Sequence, residues 1–465
     1  MKLEPSSLRL FARAVPALAL LLLATPARAD DPPPAGRPAD HVVLVSIDGL
    51  RPEFYLDRTW PAPMLQQLVA QGSHAEAVRT VFPSVTYPSH TSMITGVLPA
   101  RHGVYYNSPF EPGGETGRWY WEASSIQAKT LWEAAGEAGL TTASLSWPVS
   151  VGAPVDYNVP EVWSLDRSAD PIEVFRGHEQ PPGLLAELER EATGKLTFGN
   201  FTIYHITRDD RTGDMAAYLM ETYRPALMTV HLTSVDHFAH EDGRDSPRVR
   251  RSLAAADRAV SQVWEAAERA GILERTAFVV TGDHGFVDIH TRIAPNVWLV
   301  EAGLRSADDD RGDWRATFHT TAASAFLHLA DPGDHEAVEK VREVLAGLPE
   351  GVRRFFRVVE REELDRLGAA PEAVFGFAMR PGINVTSAAD GPAVRPGHGG
   401  QHGFLPDFPH IQTGLVAAGS GIRAGAVAPQ LEVVDVAPLV AHLLALDMPQ
   451  GDGVAPLGFF AESPH

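Results

Sequence analysis

The chain has 465 residues, 59 acidic and 39 basic side chains, and a formal net charge of −20. This charge argues against a nucleic-acid scaffold, because such proteins need a basic stripe that displaces counterions. The lack of cysteine excludes disulfides, thiolate zinc sites and cysteine nucleophiles. The length exceeds the size at which a single core stops growing, so we expect one large decorated α/β domain or a core with a second lobe.

The N-terminus predicts a cleaved secretory signal. Basic residues precede an apolar run from Val15 to Ala24, and Ala27-Arg28-Ala29 offers a cleavage site between small residues. The run is shorter than the ~18 residues that a membrane span needs. We therefore predict a signal peptide over 1–29, a flexible Pro- and Ala-rich segment over 30–40, and a periplasmic or secreted protein without a stable membrane span.

From residue 41 onward, strand-like and helix-like segments alternate, which predicts an α/β fold with a mostly parallel sheet flanked by helices. The predicted strands are His41 to Ile47, Thr141 to Ser146, Ala226 to Ser234 and Thr276 to Thr281. The predicted helices are Met64 to Gln71, Lys129 to Glu137 and Val249 to Ala270. The core pattern returns at Gly414 to Ala418 and at Val433 to Leu446.

Two regions interrupt this alternation. Residues 152–212 are rich in loop-forming residues and show little periodicity. Residues 302–398 contain a predicted helix from His335 to Leu348 and a strand after it, so we interpret them as an inserted α+β lobe. The catalytic α/β core is accordingly predicted over 41–301 and 399–458.

Three acidic residues follow apolar, strand-like stretches. Asp48 follows Ile47, Asp236 lies in SVDHFAH, and Asp283 lies in GDHG between two glycines. Parallel strands bind ligands at their carboxyl ends, so these side chains are expected at one edge of the sheet. Taken alone, Asp48 is more often a helix cap.

Histidines accompany these carboxylates. His240 is four residues after Asp236, which places both on one face of a helical turn, although an ordinary surface pair has the same spacing. His284 follows Asp283 directly, and His402 lies in the glycine-rich GGQHGF. The three carboxylates and three imidazoles together suit Zn²⁺, or Mn²⁺, better than Ca²⁺.

The stretch TVFPSVTYPSHTSMITG supplies candidate nucleophiles. Thr86 ends an extended segment, and a helix is predicted from Ser89 to Gly96 with Pro88 in its first turn. A hydroxyl at this position faces the positive end of the helix dipole, which favours an alkoxide and an anionic phosphoryl group. Spacing alone does not decide between Thr86 and its rivals, which are Ser84, Ser89, Thr91 and Ser92.

These motifs resemble those of the nucleotide pyrophosphatase/phosphodiesterases of the alkaline phosphatase superfamily, and they occur in the same order. In chain order they are Asp48-Gly after a strand, Thr86-Tyr-Pro-Ser-His-x-Ser-x-x-Thr-Gly, HGVYYN ending at Asn107, Asp236-x-x-x-His240, Gly-Asp283-His284-Gly and His402-Gly-Phe. The match spans residues ~41–445, and it implies an alkaline-phosphatase-like fold.

The resemblance also implies the roles of these residues. One zinc ion would be bound by Asp236, His240 and His402, and a second by Asp48, Asp283, His284 and the Thr86 oxygen. Thr86 would form a phosphothreonine intermediate during hydrolysis of a phosphodiester or phosphoanhydride bond, and a phosphomonoester would be released. Asn107 would stabilise a non-bridging phosphoryl oxygen, and His90 is assigned no ligand role.

Other branches of the superfamily define the alternatives. Sulfatases need a modified Cys or Ser, whereas this chain carries Thr86. Phosphomonoesterases and phosphonoacetate hydrolases hold the extra negative charge with paired basic residues, but the corresponding stretch from Ser144 to Gly152 has none. A monoanionic diester is therefore the predicted substrate.

The remaining alternatives concern the rest of the substrate. Tyr87, Tyr105, Tyr106, Trp119 to Trp121 and Trp147 are candidates for stacking a nucleobase or lining a lipid headgroup site. We favour a small nucleotide-type substrate, with phospholipid or glycerophosphodiester cleavage as the enzymatic alternative. A catalytically inactive, metal-binding interaction protein is the non-enzymatic alternative. The sequence does not predict an oligomeric state.

Overall fold

The computed structural model describes residues 36–114, 116–307 and 314–461. The predicted signal peptide (1–29) and residues 30–35 of the predicted flexible segment lie outside these ranges. The rest of that segment, residues 36–40, leads into the first strand, and Ala39 and Asp40 donate backbone hydrogen bonds to the carbonyls of Leu443 and Arg275. Within the described ranges, no helix has both the length and the hydropathy of a bilayer span.

A nine-stranded sheet organises the described chain. The strands of this and the smaller sheets in the described ranges are β1 (His41–Ile47), β2 (Ser73–Arg79), β3 (Thr142–Leu145), β4 (Tyr157–Val159), β5 (Leu227–Leu232), β6 (Thr276–Thr281), β7 (Val287–Asp288), β8 (Thr291–Ile293), β9 (Ala316–Thr321), β10 (Ser324–Leu329), β11 (Phe356–Val359), β12 (Gly376–Met379), β13 (Ile383–Val385), β14 (Val394–Pro396), β15 (Gly400–Gln401), β16 (Thr413–Gly419), β17 (Val427–Ala428) and β18 (Leu431–Glu432). The sheet has the order β17-β2-β16-β6-β1-β5-β3-β4, and β18 also pairs with β2. Only β16 runs antiparallel to its neighbours in this sheet.

Helices pack against both faces of this sheet. The α-helices of the described ranges, including those outside this sheet, are α1 (Glu53–Leu56), α2 (Pro63–Gln71), α3 (Thr86–Thr95), α4 (Pro99–His102), α5 (Leu131–Glu137), α6 (Pro171–Arg176), α7 (Leu184–Leu188), α8 (Thr207–Tyr223), α9 (Ser234–Asp242), α10 (Pro247–Arg269), α11 (Pro295–Glu301), α12 (His335–Gly347), α13 (Glu350–Arg353), α14 (Arg361–Arg366) and α15 (Val436–Leu444). Side chains of β1 alternate between two cores: Val43 and Val45 enter one, while Val42 and Leu44 enter the other. Burial on both faces explains why β1 reads as a continuous apolar run.

The strand register determines where the chain leaves the sheet. In β1, Ile47 lies opposite Leu232 of β5, and Ser46 lies opposite Thr281 of β6. These three parallel strands therefore end at the same edge and at nearly the same height. Gly49, which follows β1, thereby contacts Asp283, which follows β6, although the two are 234 positions apart in the sequence.

A second sheet lies within the region predicted as an inserted lobe. It is antiparallel, has the order β11-β12-β10-β9, and is accompanied by α12, α13 and α14. A three-stranded sheet of the order β13-β8-β14 pairs β8, from the predicted core, with two strands of residues 302–398. The proposed domain boundaries remain a prediction.

Two elements differ from the sequence-based expectation. The region 152–212, predicted to be loop-rich, contains β4, α6, α7 and the beginning of α8. The first half of α8 buries Arg208, Asp209 and Thr212, and these polar residues hide the apolar periodicity that predicts a helix. The other difference is that α3 begins at Thr86 and not at Ser89.

Candidate metal and phosphoryl-transfer site

The sheet edge collects the three predicted carboxylates. Asp48 directly follows β1, Asp236 lies in the first turn of α9 after β5, and Asp283 lies two residues beyond β6. Asp48 and Asp283 are 4% and 0% exposed. Asp48, taken alone as a possible helix cap, instead takes part in a buried cluster with other charged side chains.

One group of candidate ligands consists of Asp236, His240 and His402. The Oδ1 atom of Asp236 lies 3.3 Å from His240 Nε2 and 3.6 Å from His402 Nε2. Each histidine is oriented through its other nitrogen: His240 Nδ1 lies 3.1 Å from the carbonyl of Gly400, and His402 Nδ1 lies 2.9 Å from that of Ser84. A backbone carbonyl on Nδ1 fixes the tautomer and directs Nε2 to the centre of the group, as in metal-binding histidines.

The glycine-rich turn before His402 allows this approach. A Cβ atom on Gly399 would lie 1.9 Å from the carbonyl oxygen of His240, and one on Gly400 would lie 2.7 Å from that of Ala239. The chain therefore passes against the C-terminal half of α9 only without side chains at these positions. Packing against α9 therefore requires glycine at these two positions.

A second group consists of Asp48, Asp236 and His284, whose ligand atoms lie within 4.8 Å of one another. Asp236 thus belongs to both groups. His284 Nε2 lies 3.5 Å from Asp48 Oδ1 and 3.0 Å from Asp283 Oδ2. The other oxygen of Asp283 accepts hydrogen bonds from the backbone N–H groups of Gly49 and His284, both at 3.0 Å. His284 also stacks on His402, with ring centroids 3.7 Å apart.

The electrostatics of these groups fit a divalent cation. Burial, together with the neighbouring charges of Asp236 and Asp283, raises the pKa of Asp48 well above its usual range. Burial opposes ionisation of Asp236 and Asp283 as well, but the adjacent histidines lower the pKa of both. Several buried atoms have no hydrogen-bond partner among the described residues, namely Asp48 Oδ1, Asp236 Oδ1, Asp283 Oδ2 and both ring nitrogens of His284. A bound metal ion would satisfy these buried oxygen and nitrogen atoms by accepting their lone pairs.

The hydroxyl groups of the nucleophile segment differ in their hydrogen bonding. The four rivals of Thr86 all use their hydroxyls: Ser84 bonds to the Phe404 carbonyl, Ser89 to Thr80, Thr91 to the Tyr87 carbonyl and Ser92 to His102. In the described parts of the chain, the Thr86 hydroxyl makes no such bond. Thr86 is the first residue of α3 and is 7% exposed, so its oxygen faces the positive end of the helix.

Asn107 lies beside the start of α3. Its Oδ1 accepts a hydrogen bond of 2.9 Å from the backbone N–H of Tyr87, and its carbonyl accepts one of 3.0 Å from Tyr120. These contacts hold the side-chain amide of Asn107 in place. They leave its Nδ2 group as a hydrogen-bond donor beside the segment that begins with Thr86. The structure thus brings the predicted nucleophile and the predicted oxyanion donor to the same helix terminus.

Three charged or titratable residues at the site were missed by the sequence analysis. His231 of β5 lies 3.1 Å from Asp48 and 3.0 Å from Glu161. Burial lowers the pKa of His231, but its hydrogen bonds to these two carboxylates outweigh burial and raise the pKa to about 10. The position of His231 inside the apolar strand LMTVHL could have indicated a functional residue. Glu161, in contrast, lies in a loop without a recognisable motif.

Asp209 of α8 is the third missed residue. Its carboxylate accepts hydrogen bonds from the backbone N–H groups of Thr233 and Ser234, at 3.0 and 3.2 Å. These donors form the N-terminus of α9, so a side chain from another helix caps the element that carries Asp236 and His240. Burial raises the pKa of Asp209 to about 6, partly offset by Arg208 and these hydrogen bonds.

Comparison with known proteins identifies the family. The family described as type I phosphodiesterase / nucleotide pyrophosphatase matches residues 42–405. The chain belongs to this family. Human ectonucleotide pyrophosphatase/phosphodiesterase family member 1 is 23% identical over 446 residues, which cover 90% of this chain and 41% of that protein. Human family member 7 is 24% identical over 455 residues, covering 90% of this chain and 84% of that protein. This chain thus spans well under two thirds of the length of family member 1.

Solved structures of relatives have the same fold. Human ectonucleotide pyrophosphatase/phosphodiesterase 5 aligns with a TM-score of 0.65 at 18% identity, covering 89% of this chain and 97% of that one. An inactive variant of the murine counterpart, in complex with AMP, aligns with a TM-score of 0.64 at 17% identity over the same fractions. The predicted family and the predicted alkaline-phosphatase-like α/β fold are confirmed.

Loss of the α9 cap tests how the first ligand group is positioned. We expect Asp209→Ala to lower the thermal unfolding midpoint, because a lost N-cap costs about 1–2 kcal/mol. It should also weaken zinc binding about tenfold, as removal of a residue that orients ligands does. Thermal unfolding and equilibrium dialysis against zinc measure the two effects. The matched control is Asp210→Ala, which removes a partly exposed carboxylate paired with Arg258. Wild-type zinc affinity in Asp209→Ala would refute the positioning role.

Proposed function

We propose that this chain is a metal-dependent phosphodiesterase/nucleotide pyrophosphatase. It hydrolyses phosphodiester or phosphoanhydride bonds through a phosphothreonine intermediate at Thr86 and releases a phosphomonoester. The observation that carries the proposal is the convergence of buried, unpaired carboxylate and imidazole atoms beside a helix terminus with an unbonded threonine hydroxyl. Membership of the family supports the same reaction.

The proposed cofactors are two divalent ions per chain, Zn²⁺ or alternatively Mn²⁺. Asp236, His240 and His402 are the proposed ligands of one ion, while Asp48, Asp283, His284 and the Thr86 oxygen are those of the other. When bound, such a pair stabilises the attacking and leaving oxygens of an in-line displacement. The mixed set of carboxylates and imidazoles suits these metals.

The protein residues then perform the two displacements. Thr86 Oγ1 forms a bond to phosphorus while the bond from phosphorus to the leaving oxygen breaks. Water displaces Thr86 in the second step, which restores the hydroxyl and releases the phosphomonoester. Asn107 donates its Nδ2–H to a non-bridging oxygen, and the positive end of the α3 dipole favours the negative charge there.

A diester is the preferred substrate because the stretch expected to hold paired basic residues in a monoesterase carries none. The stretch from Ser144 to Gly152 includes the end of β3 and the loop after it, and it contains no Lys or Arg. Trp147 within this stretch is fully buried, so it forms part of the core under the site. We regard the phosphomonoesterase and phosphonoacetate hydrolase reactions as the alternatives.

A nucleotide is the favoured type of substrate. Of the aromatic candidates, Tyr87, Tyr106, Trp121 and Trp147 are buried, whereas Tyr105, Trp119 and Tyr120 remain partly exposed. The ring of Trp119 packs edge-on against that of Tyr87, with centroids 5.2 Å apart, and the backbone N–H of Tyr120 donates to the carbonyl of Asn107. The segment that carries these partly exposed aromatic residues therefore contacts Tyr87 and Asn107. The AMP complex of the murine relative supports a nucleotide. A phospholipid headgroup is the alternative ligand of the same rings.

A catalytically inactive binding protein is the weaker alternative, because this member of the family retains Thr86 and the complete set of candidate metal ligands. The signal peptide that the sequence predicts over 1–29 is the basis for proposing secretion or export to the periplasm.

Chromogenic esters test the reaction class. We expect the zinc-loaded protein to hydrolyse bis-p-nitrophenyl phosphate at least tenfold faster than p-nitrophenyl phosphate, with loss of both activities in a chelator. Thymidine 5′-monophosphate p-nitrophenyl ester should be a better substrate than p-nitrophenylphosphorylcholine if nucleotides are recognised. The reverse order would support a lipid headgroup, and a preference for the monoester would contradict the diesterase proposal.

Replacement of the nucleophile tests the intermediate. Thr86→Ala should abolish turnover of the diester, because no other free hydroxyl lies at the start of α3. Thr86→Ser retains the hydroxyl and should retain part of the activity. Steady-state rates and the metal content of both variants test whether Thr86 is the nucleophile. A fully active Thr86→Ala protein would refute this assignment.

The oxyanion donor is tested by a pair of variants. Asn107→Ala should lower kcat by roughly 10²–10³, the range observed when one such donor is removed. Asn107→Asp keeps the acceptor for the Tyr87 N–H but lacks the Nδ2 donor, so it should lose at least as much. Equal kcat values for Asn107→Asp and the wild type would show that the amide contributes only its acceptor oxygen.

A further inference from the structure

A continuous chain of buried polar contacts leads away from Asp48. The second oxygen of Asp48, Oδ2, lies 3.1 Å from His231 Nε2. On the far side of the ring, His231 Nδ1 lies 3.0 Å from Glu161 Oε2 and 3.0 Å from the carbonyl of Ser146. Glu161 Oε1 in turn accepts a 3.0 Å hydrogen bond from the hydroxyl of Tyr87. Asp48, His231, Glu161 and Tyr87 form a four-residue chain, which we call the Asp48–Tyr87 chain.

Both ends of the Asp48–Tyr87 chain belong to the proposed reaction centre. At one end, the remaining oxygen of Asp48 faces His284 at 3.5 Å. At the other end, the backbone N–H of Tyr87 donates to Asn107, and Tyr87 is the neighbour of Thr86. The ring of His231 also packs on that of His90, at 4.3 Å, and His90 Nδ1 lies 2.8 Å from the Thr86 carbonyl. His231 therefore contacts the metal side and the nucleophile side at the same time.

The position of these residues in the core argues against a role in packing alone. His231 is 1% exposed and Tyr87 is 0% exposed, and strand β5 is otherwise formed by residues that suit a buried strand. A histidine and a glutamate in such an environment are costly unless each polar atom is paired. Here, the two nitrogens of His231 and both oxygens of Glu161 have partners. An apolar side chain would fill the same space without leaving any group to be satisfied.

We infer that His231 and Glu161 are positioning residues that hold Asp48 and the start of α3 in one hydrogen-bonded unit. The inference rests on the proposed function, because it treats Asp48 as a metal ligand and Thr86 as the nucleophile. His231 donates to the Asp48 oxygen that faces away from His284, which leaves Oδ1 directed at the metal group. Glu161 keeps the imidazole in that orientation and anchors Tyr87, so the ligand and the nucleophile keep a fixed mutual position.

The first test is Glu161→Gln in the full chain. An amide group at this position places either an N–H or a single neutral oxygen against His231 Nδ1, and it removes the charge that orients the ring. We expect the affinity for one of two Zn²⁺ ions to fall ten- to hundredfold, the range seen when a group behind a metal ligand is changed. We also expect kcat for bis-p-nitrophenyl phosphate to fall at least tenfold, with KM changed by less than threefold. Zinc competition against a chromogenic chelator measures affinity independently of activity.

A milder variant and a matched control accompany this test. Tyr87→Phe removes only the last hydroxyl of the Asp48–Tyr87 chain, so it should shift zinc affinity and kcat in the same direction by less than tenfold. Glu187→Gln is the control, since Glu187 of α7 also accepts a tyrosine hydroxyl, that of Tyr218 at 2.8 Å, but in a different part of the chain. It should leave zinc affinity and kcat at wild-type values.

The outcomes separate this inference from the proposed function. Wild-type zinc affinity and kcat in Glu161→Gln, or in Tyr87→Phe should the former fail to fold, would overturn the positioning role even when the wild type hydrolyses diesters. A wild type that binds two zinc ions without diester hydrolysis, together with weakened binding in Glu161→Gln, would support the positioning of Asp48 and contradict the reaction. A wild type that binds no divalent metal would overturn both.

Discussion

The structure depends on a cluster of buried carboxylates at the edge of the central sheet. Asp48 and Asp236 place ligand atoms within 4.8 Å of each other and of His284, and Asp283 reaches the same imidazole. Two unit charges about 4 Å apart interact by about 4 kcal/mol at an effective dielectric constant of ~20. Burial is the largest cause of the raised pKa of Asp48, and repulsion from Asp236 and Asp283 adds to it. Nearby positive charge offsets this repulsion. The arrangement is therefore stable as a cation site and unfavourable as an isolated cluster of acids.

The fold forms this cluster by bringing the strand ends together. Hydrogen bonds to the surrounding protein then orient the side chains. Backbone carbonyls orient His240 and His402, backbone N–H groups hold one oxygen of Asp283, and Asp209 caps the helix that carries Asp236. His240, His402, Asp283 and Asp48 thus each use one polar atom for the protein and direct the other to the centre. His284 differs, because both of its ring nitrogens have no hydrogen-bond partner among the described residues.

The site residues that could be predicted from the sequence are those next to a regular strand or helix pattern. Asp48 and Asp283 follow apolar strands whose ends are readable, and the spacing of Asp236 and His240 fits the turn of α9 that is observed. Contacts between distant segments had no such signal: His231 and Asp48 are 183 positions apart, and Asp209 was hidden in a helix whose buried residues are polar. The choice of Thr86 over neighbouring hydroxyls also depended on hydrogen bonds, which spacing does not reveal.

The region predicted as an inserted lobe is connected to the site through the loop of Asn107. Tyr106, next to Asn107, packs against Phe326 of β10 with ring centroids 5.0 Å apart, and Phe110 stacks on His328 of the same strand at 3.8 Å. The metal-ligand candidates before residue 300, in contrast, are positioned mainly by the central sheet and α9. The second sheet therefore supports the loop that carries the proposed oxyanion donor, while the central sheet supports the carboxylates. Because a hydrogen-bond donor stabilises a transition state only at the correct distance, the aromatic contacts that position the Asn107 loop matter to the proposed reaction as much as the amide itself.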